Sequence, residues 1–265
     1  MSIHPTAVVN PKAELHSSVT VGPYAVIGAQ VRIDADTKVE AHAVVSGPTS
    51  IGERNLIGSF SVVGGAPQDL GYKGEPTELI IGSDNQIREF ASIHRGTPGG
   101  HGKTVIGNNN LLMAYTHVAH DCVIGNHVIM ANVATLAGHV EVGDRASIGG
   151  LVAIHQYCRI GTFSYIGGVS GISLDVPPYV IIAGTRNRMR ISGVNKVGLK
   201  RNGFSRETIK NLDEAFRIIF RTPHLLMKDA IEVARNEYPD CPEVQTLVKF
   251  FLDSKRGVVK QTDED

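Results

Sequence analysis

The chain has no excess charge of either sign: 26 Lys and Arg balance 26 Asp and Glu over 265 residues. That balance argues against a general nucleic-acid binder, which needs a positive surface to neutralise phosphates. No apolar run approaches the roughly 20 residues of a membrane-crossing helix, so membrane insertion is not expected. No signal peptide is expected either, because an ordered repeat begins at residue 3. Cysteine is scarce. Cys122, Cys158 and Cys241 form no C-x-x-C pair, which predicts a reduced, cytoplasmic protein.

What the chain has in plenty is a six-residue beat. From Ile3 every sixth residue is aliphatic through Val63. The beat returns at Ile81, Ile87 and Ile93, slips by one residue, and runs again from Ile106 to Ile172. Gly often follows the aliphatic residue, as in Ile27-Gly28 and Ile124-Gly125, and is expected at corners where it tolerates positive φ. Four residues after the aliphatic stand small or β-branched side chains such as Ala25, Val31, Ala43, Val128 and Ala134. A hexad repeat of this kind marks a parallel β-helix, with three hexads closing one coil of 18 residues. A single repeat cannot bury its apolar face, so stacking supplies the core. The 26 hexads predict eight to nine coils and a prism about 40 Å tall. Cys122 and Cys158 both fall at inward positions two coils apart, about 10 Å, as core fillers too distant for a disulfide.

Two stretches break the pattern. Residues 64–80 keep the phase but lack the beat, and residues 94–105 shift it by one; both read as loops, where repeat proteins often place binding residues. After Val176-Pro177-Pro178 the beat fades, and 186–204 shows no regular period. Apolar residues at spacings of three and four then predict a helix after Ser205 (Ile209, Leu212, Phe216, Ile219). A second is expected over 224–237 and a third from Pro242. The reading is thus a mainly β chain: a parallel β-helix over 1–185, then a basic connector and α-helical C-terminal domain over 186–265. Asp263-Glu264-Asp265 is expected to fray. Residues 186–221 hold ten Lys/Arg, Arg186 and Arg201 among them, against Glu207, Asp213 and Glu214. Such a patch suits an acidic partner or a phosphate.

Counting in steps of 18 brings distant residues together. His120 stacks beneath Gly138 and Gln156, and Asp121 beneath His139 and Tyr157, with His117 and His155 alongside. Histidine is the usual general base near neutral pH. Asp121 could orient it, provided a corner brings these neighbours to one side. The Gly138 N–H could stabilise an oxyanion. A base and an oxyanion donor without a Ser or Cys nucleophile suggest direct acyl transfer to a bound hydroxyl or amine. Two readings compete. One is a zinc site on His117, His120 and His155, similar to γ-type carbonic anhydrases, which needs three imidazoles about 2.0–2.1 Å from one ion. The other is a purely structural solenoid, which would need neither the histidines nor the basic segment.

Several motifs together are more specific than the repeat: Gln68-Asp69-Leu70, Ile93-His94-Arg95-Gly96-Thr97, His117-Val118-Ala119-His120-Asp121-Cys122, Leu136-Ala137-Gly138-His139, His155-Gln156-Tyr157-Cys158 and Gly198-Leu199-Lys200-Arg201. With them the chain resembles, along almost its full length, the cytoplasmic UDP-N-acetylglucosamine O-acyltransferases that start lipid A biosynthesis. The resemblance implies a left-handed β-helix and a homotrimer with sites between subunits. It implies transfer of an (R)-3-hydroxyacyl group from acyl carrier protein to the sugar 3-hydroxyl, with no cofactor and no metal. His120 then matches the general base, Asp121 the residue that orients it and Gly138 the oxyanion donor. Asp69, His117, His139, His155, Gln156, Asn195 and Arg201 match positions around the substrates. Gly168 matches the acyl-length ruler, where glycine implies about fourteen carbons rather than ten. The basic segment would meet the acidic carrier protein. The chain departs from the family at Gly71, where a Lys is common, with Lys73 two residues on. It departs again at Val197, where the family carries a carboxylate. An acetyl-CoA-dependent hexapeptide acyltransferase acting on another sugar or amine is the alternative.

Overall fold

The computed structural model describes residues 2–185 and 188–259; Arg186 and the acidic end of the chain lie outside the described residues. The hexads become short strands on three faces of a prism. Face A runs from Ser2–Ile3, face B from Val8–Val9 and face C from Glu14–Leu15, and the chain visits them in that order. Each strand pairs in parallel with the strand one coil on, as in Ile3↔Val21, Val9↔Ile27 and Leu15↔Ile33. The architecture is the left-handed parallel β-helix. The beat residues line the axis: Val45, Ile57, Ile87, Val118, Leu136 and Ile166 are fully buried. Ile3 is 39% exposed because the first coil is covered on one side only. Cys122 and Cys158 are buried free thiols.

The glycines do a different job from the one expected. Corners turn on the third residue after the aliphatic, which is rarely glycine: Tyr24, His42, Phe60, Asp121, His139 and Tyr157 all have φ between 57° and 63°. The glycine directly after the aliphatic is needed for close approach between coils. A Cβ on Gly58 would lie 2.7 Å from the Arg88 carbonyl carbon, and one on Gly161 2.2 Å from the Pro178 nitrogen. The sequence pattern also hid a polar ladder. At the C–A corner of the central coils the inward position holds buried Asn55, Asn85 and Asn110. The Asn55 side-chain oxygen accepts from the Asn85 N–H (2.9 Å), that of Asn85 from the Asn110 N–H (2.9 Å), and that of Asn110 from the Val128 N–H (2.7 Å). Buried amides are tolerable because each is hydrogen-bonded to the next coil.

Both interruptions leave from the B–C corner. The first departs after Val62–Gly65 and rejoins at Glu78–Ile81; the second departs after Ser92–His94 and rejoins at Lys103–Ile106. Val62 pairs with Ser92, 30 positions on, so the first loop adds 30 − 18 = 12 residues and keeps the hexad phase. Ser92 pairs with His117, 25 on, so the second adds 25 − 18 = 7 and shifts it by one.

Residues 186–204, expected to lack regular structure, contain two short elements. Arg190–Val194 pairs antiparallel with Val180–Ala183 on face A, and helix α1 covers Lys196–Arg201. A five-residue strand and a six-residue helix are too brief to show a period. Helices α2 (Arg206–Arg221), α3 (Met227–Glu237) and α4 (Pro242–Leu252) follow. Ser205 caps α2 by accepting from the Thr208 N–H, and Pro242 opens α4. Beyond α4 the chain returns to the prism: Asp175 N–H donates to Gly257 O and Val259 N–H to Asp175 O, each 2.9 Å.

Candidate active site

Asp121 occupies a B–C corner with φ 60°, and this left-handed turn lets its carboxylate and the neighbouring His120 ring share one side of the chain. The carboxylate is fully buried. It accepts from Thr97 N–H (3.0 Å), Thr97 Oγ1 (2.6 Å), His101 N–H (2.9 Å) and His120 Nδ1 (2.8 Å). Burial alone would raise its pKa, but hydrogen bonds from Thr97, His120 and the loop amides outweigh that and hold it below the usual carboxylate range. An ionised Asp121 can only accept, so His120 carries its proton on Nδ1 and presents a bare Nε2 lone pair.

The predicted column forms. The His120 ring lies over Gly138: a Cβ there would sit 2.6 Å from His120 Cε1 and 2.8 Å from Nε2. The Gly138 N–H has no hydrogen-bond partner among the described residues, so a donor and the basic nitrogen stand together. His139 meets the His120 ring edge-on at 5.1 Å and stacks on Tyr157 at 4.4 Å. His117 Nδ1 is 2.7 Å from Ser92 Oγ. His155 and Gln156 are exposed on the next coil. Burial lowers the pKa of His117 and of His139, which favours the neutral ring in each.

The loops supply what the register could not. Thr97, His101 and the Thr104 hydroxyl, which accepts from the Asp121 N–H at 2.8 Å, belong to the second loop and its rejoining strand. Thr97 lies 24 residues before Asp121 across an irregular insertion, so no count from the sequence could bring them together. His94, buried beneath His117 with ring centroids 5.1 Å apart, also went unassigned; burial lowers its pKa to about 4. Asp69 is exposed on the first loop beside the fully exposed Leu70. Its carboxylate accepts from the Gly71 N–H at 2.7 Å, and its charge acts on His139. Buried Arg95 anchors that loop by donating to Gly64 O and Tyr72 Oη.

The remaining predicted residues stand elsewhere. Asn195 caps α1: its side chain accepts from the Gly198 N–H and donates to Phe163 O, each 3.0 Å. Arg201 is exposed at the end of α1. Gly168 sits at an A–B corner, across face B from His120. Among groups able to hold a metal, atoms of His120, Asp121 and His139 lie within 4.8 Å of one another, but both Asp121 oxygens already accept hydrogen bonds. The three histidines of the zinc reading do not gather: the ligand atoms that come together around His120 among the described residues are those of Asp121 and His139, not those of His117 and His155.

Comparison with known proteins agrees with this geometry. Residues 103–138 match a family model described as bacterial transferase hexapeptide, six repeats, and residues 175–259 match domain 2 of UDP-N-acetylglucosamine O-acyltransferase. An acyl-[acyl-carrier-protein]–UDP-N-acetylglucosamine O-acyltransferase of Trichlorobacter lovleyi is 54% identical over 261 residues, covering 98% of this chain and 100% of that one. Its counterpart in Halorhodospira halophila is 53% identical over 259 residues, covering 97% and 99%. Among solved structures, the UDP-N-acetylglucosamine O-acyltransferase of Moraxella catarrhalis superposes with a TM-score of 0.94 at 43% identity, covering 98% of this chain and all of that one. The Francisella novicida enzyme gives 0.95 at 35% identity, covering 98% and 95%.

Proposed function

The chain belongs to the family of acyl-[acyl-carrier-protein]–UDP-N-acetylglucosamine O-acyltransferases, and we propose that His120, Asp121 and the Gly138 N–H carry that transfer here. The observation that carries this reading is the His120 ring, held by a buried carboxylate at Nδ1 and set against an unpaired backbone donor. His120 Nε2 takes the proton of the sugar 3-hydroxyl as that oxygen attacks the thioester carbonyl of a 3-hydroxyacyl carrier protein. The Gly138 N–H receives the developing oxyanion. His120 then returns the proton to the departing thiolate. Asp121 stays ionised and stabilises the imidazolium between the two steps.

Face B supports a site shared between copies of the chain. Its outward residues are Val8, Val26, Val44, Val62, Ser92, His117, Thr135, Ala153 and Gly171, with no Lys, Arg, Asp or Glu among them. Face C, by contrast, carries Glu14, Arg32, Glu141 and Arg159. A homotrimer with face B towards its axis sets the A–B corner of one copy beside the B–C corner of the next, so that Gly168 and His120 border one groove. Asp69, His117, His139, His155 and Gln156 then hold the substrates from one copy, with Asn195 and Arg201 contributed by another. Glycine at 168 leaves the groove open for an acyl chain of about fourteen carbons.

Lys200, Arg201 and Arg206 have no carboxylate partner among the described residues, whereas Lys196 and Arg217 share Asp213. The free cations suit an acidic carrier protein. No helix among the described residues is long and apolar enough to cross a membrane. The proposed carrier-protein donor supports a reaction in the cytoplasm. The test is an assay of purified protein with UDP-N-acetylglucosamine and a panel of 3-hydroxyacyl carrier proteins. Transfer is expected with a preference near fourteen carbons; a ten-carbon preference would remove the ruler role of Gly168, and no transfer at all would overturn the reaction.

A further inference from the structure

The tail beyond α4 returns to the prism at a buried carboxylate. Asp175, fully buried, accepts from the Arg159 N–H and from Ser254 Oγ, each 2.8 Å. Together with the backbone bridge to Gly257 and Val259, this straps the tail to the upper coils. From the strap Arg256 reaches in two directions: its Nε donates to Ser173 O (2.8 Å) and its Nη2 to His155 Nδ1 (2.8 Å). The same tail walls a cavity of about 640 Å³ whose lining includes His139, Tyr157, Arg159, Lys255 and Arg256. Its cations Arg159, Lys255 and Arg256 are matched in number by the carboxylates of Glu141, Asp175 and Asp253. Glu141 lies 3.7 Å from Arg159 and Asp253 2.6 Å from Lys249, which leaves Lys255 and Arg256 without a carboxylate partner among the described residues.

We infer that Arg256 is a positioning residue for substrate binding, fixing His155 as an Nε2–H donor to an anionic oxygen of the nucleotide sugar. A guanidinium has no lone pair to offer and only donates. The His155 nitrogen facing it at 2.8 Å accepts; the same Nδ1 lies 3.3 Å from Gln156 O, a longer contact that the charged donor outcompetes, and the ring proton is placed on Nε2. The arrangement is the converse of His120, whose Nδ1 faces a carboxylate and whose Nε2 is bare. One column thus holds a base and a donor, each fixed by the charge behind it. A Lys at this position would offer a flexible ammonium in place of the planar fork that makes both Arg256 bonds.

The inference rests on reading His155 as a substrate contact, and the test separates the two ideas. Steady-state kinetics on the full-length protein compare Arg256→Met, His155→Ala and the double variant. Each single variant is expected to raise KM for UDP-N-acetylglucosamine about tenfold or more, the loss of one charge-assisted hydrogen bond. kcat should stay within about threefold, KM for the acyl carrier protein should not change, and the double variant should be no worse than either single one. A raised KM for His155→Ala alone overturns the role of Arg256 and leaves the reading of His155 standing. Unchanged KM in both overturns both ideas. A defect in Arg256→Met alone, or one that adds to that of His155→Ala, overturns the coupling. Should Arg256→Met fold poorly, ¹⁵N NMR of histidine-labelled unmodified protein decides, with the His155 signals assigned by their loss in His155→Gln. A bare Nδ1 and a protonated Nε2 are expected, and the reverse overturns the proposal.

Discussion

Two edges of the same prism are built from the same hexads and have diverged completely. At the A–B corner the repeat runs undisturbed, and its left-handed positions carry a ladder of rings: Tyr24, His42, Phe60, Phe90 and Tyr115, with successive centroids 4.7–5.2 Å apart. At the B–C corner both loops leave the coil, and the same left-handed positions hold Asp121, His139 and Tyr157. The backbone geometry is shared; only the residues placed on it differ. A corner side chain stacks on its equivalent one coil away. Rings in that position give a continuous stacked edge, while the Asp121 carboxylate in that position orients its neighbour His120. The solenoid thus separates the stacking that builds the edge from the chemistry the edge performs.

The sharpest way to break the comparison is to strip the chemistry from one edge without touching the stack of the other. His120→Ala should lower kcat at least ~10²-fold with thermal stability little changed; near-normal turnover would place the base elsewhere. Asp121→Asn should cost about 10²-fold or more, because the amide no longer holds the proton on His120 Nδ1. It should also expose the loop at 95–102 to proteolysis, since one of the two oxygens that accept from Thr97 and His101 becomes a donor. Gly138→Ala should lower kcat about tenfold or more by pushing the His120 ring aside; an unchanged rate would show that the ring has room to spare. On the opposite edge, Phe60→Ala removes ring contacts to His42 and Phe90. It should cost about 1–3 kcal/mol of stability, read by denaturant titration, and leave kcat per folded molecule unchanged. The smallest effect separates the edges by pH. His94, His117 and His139 have pKa values below the ordinary 6.5 in the folded state. The unfolded chain therefore binds more protons in acid. Stability should be full above about pH 6.5 and fall as pH drops towards 4; His94→Gln should flatten that decline in a thermal-melt series.

The regular parts of this fold were legible from the sequence because a solenoid repeats its contacts at fixed spacing. His120, Gly138 and Gln156 could be placed in one column by counting, as could Asp121, His139 and Tyr157. What escaped lies where counting fails. Thr97 and His101 reach Asp121 across an insertion whose path no period encodes, and Arg256 reaches His155 over 101 residues. The asparagine ladder escaped for a different reason: polar residues at an inward position contradict a hydrophobic pattern unless their partners in adjacent coils are known. The glycines were assigned to the wrong constraint. Conformational freedom was the expectation, but the corners turn on other residues and the glycines supply space.

Coil spacing has a further consequence for the proposed groove. Gly168 stands three coils above the coil of His120, through Leu112↔Met130, Met130↔Ile148 and Ile148↔Ile166. Along that edge the corner residues recur once per coil, at steps of about 4.8 Å. A chain lying in such a groove meets a series of discrete stops rather than a sliding wall. Enlarging one corner closes the groove at that stop and leaves those below untouched. If Gly168 borders the acyl groove as proposed, selectivity for chain length would change by whole notches through single substitutions, without any redesign of the catalytic column beneath.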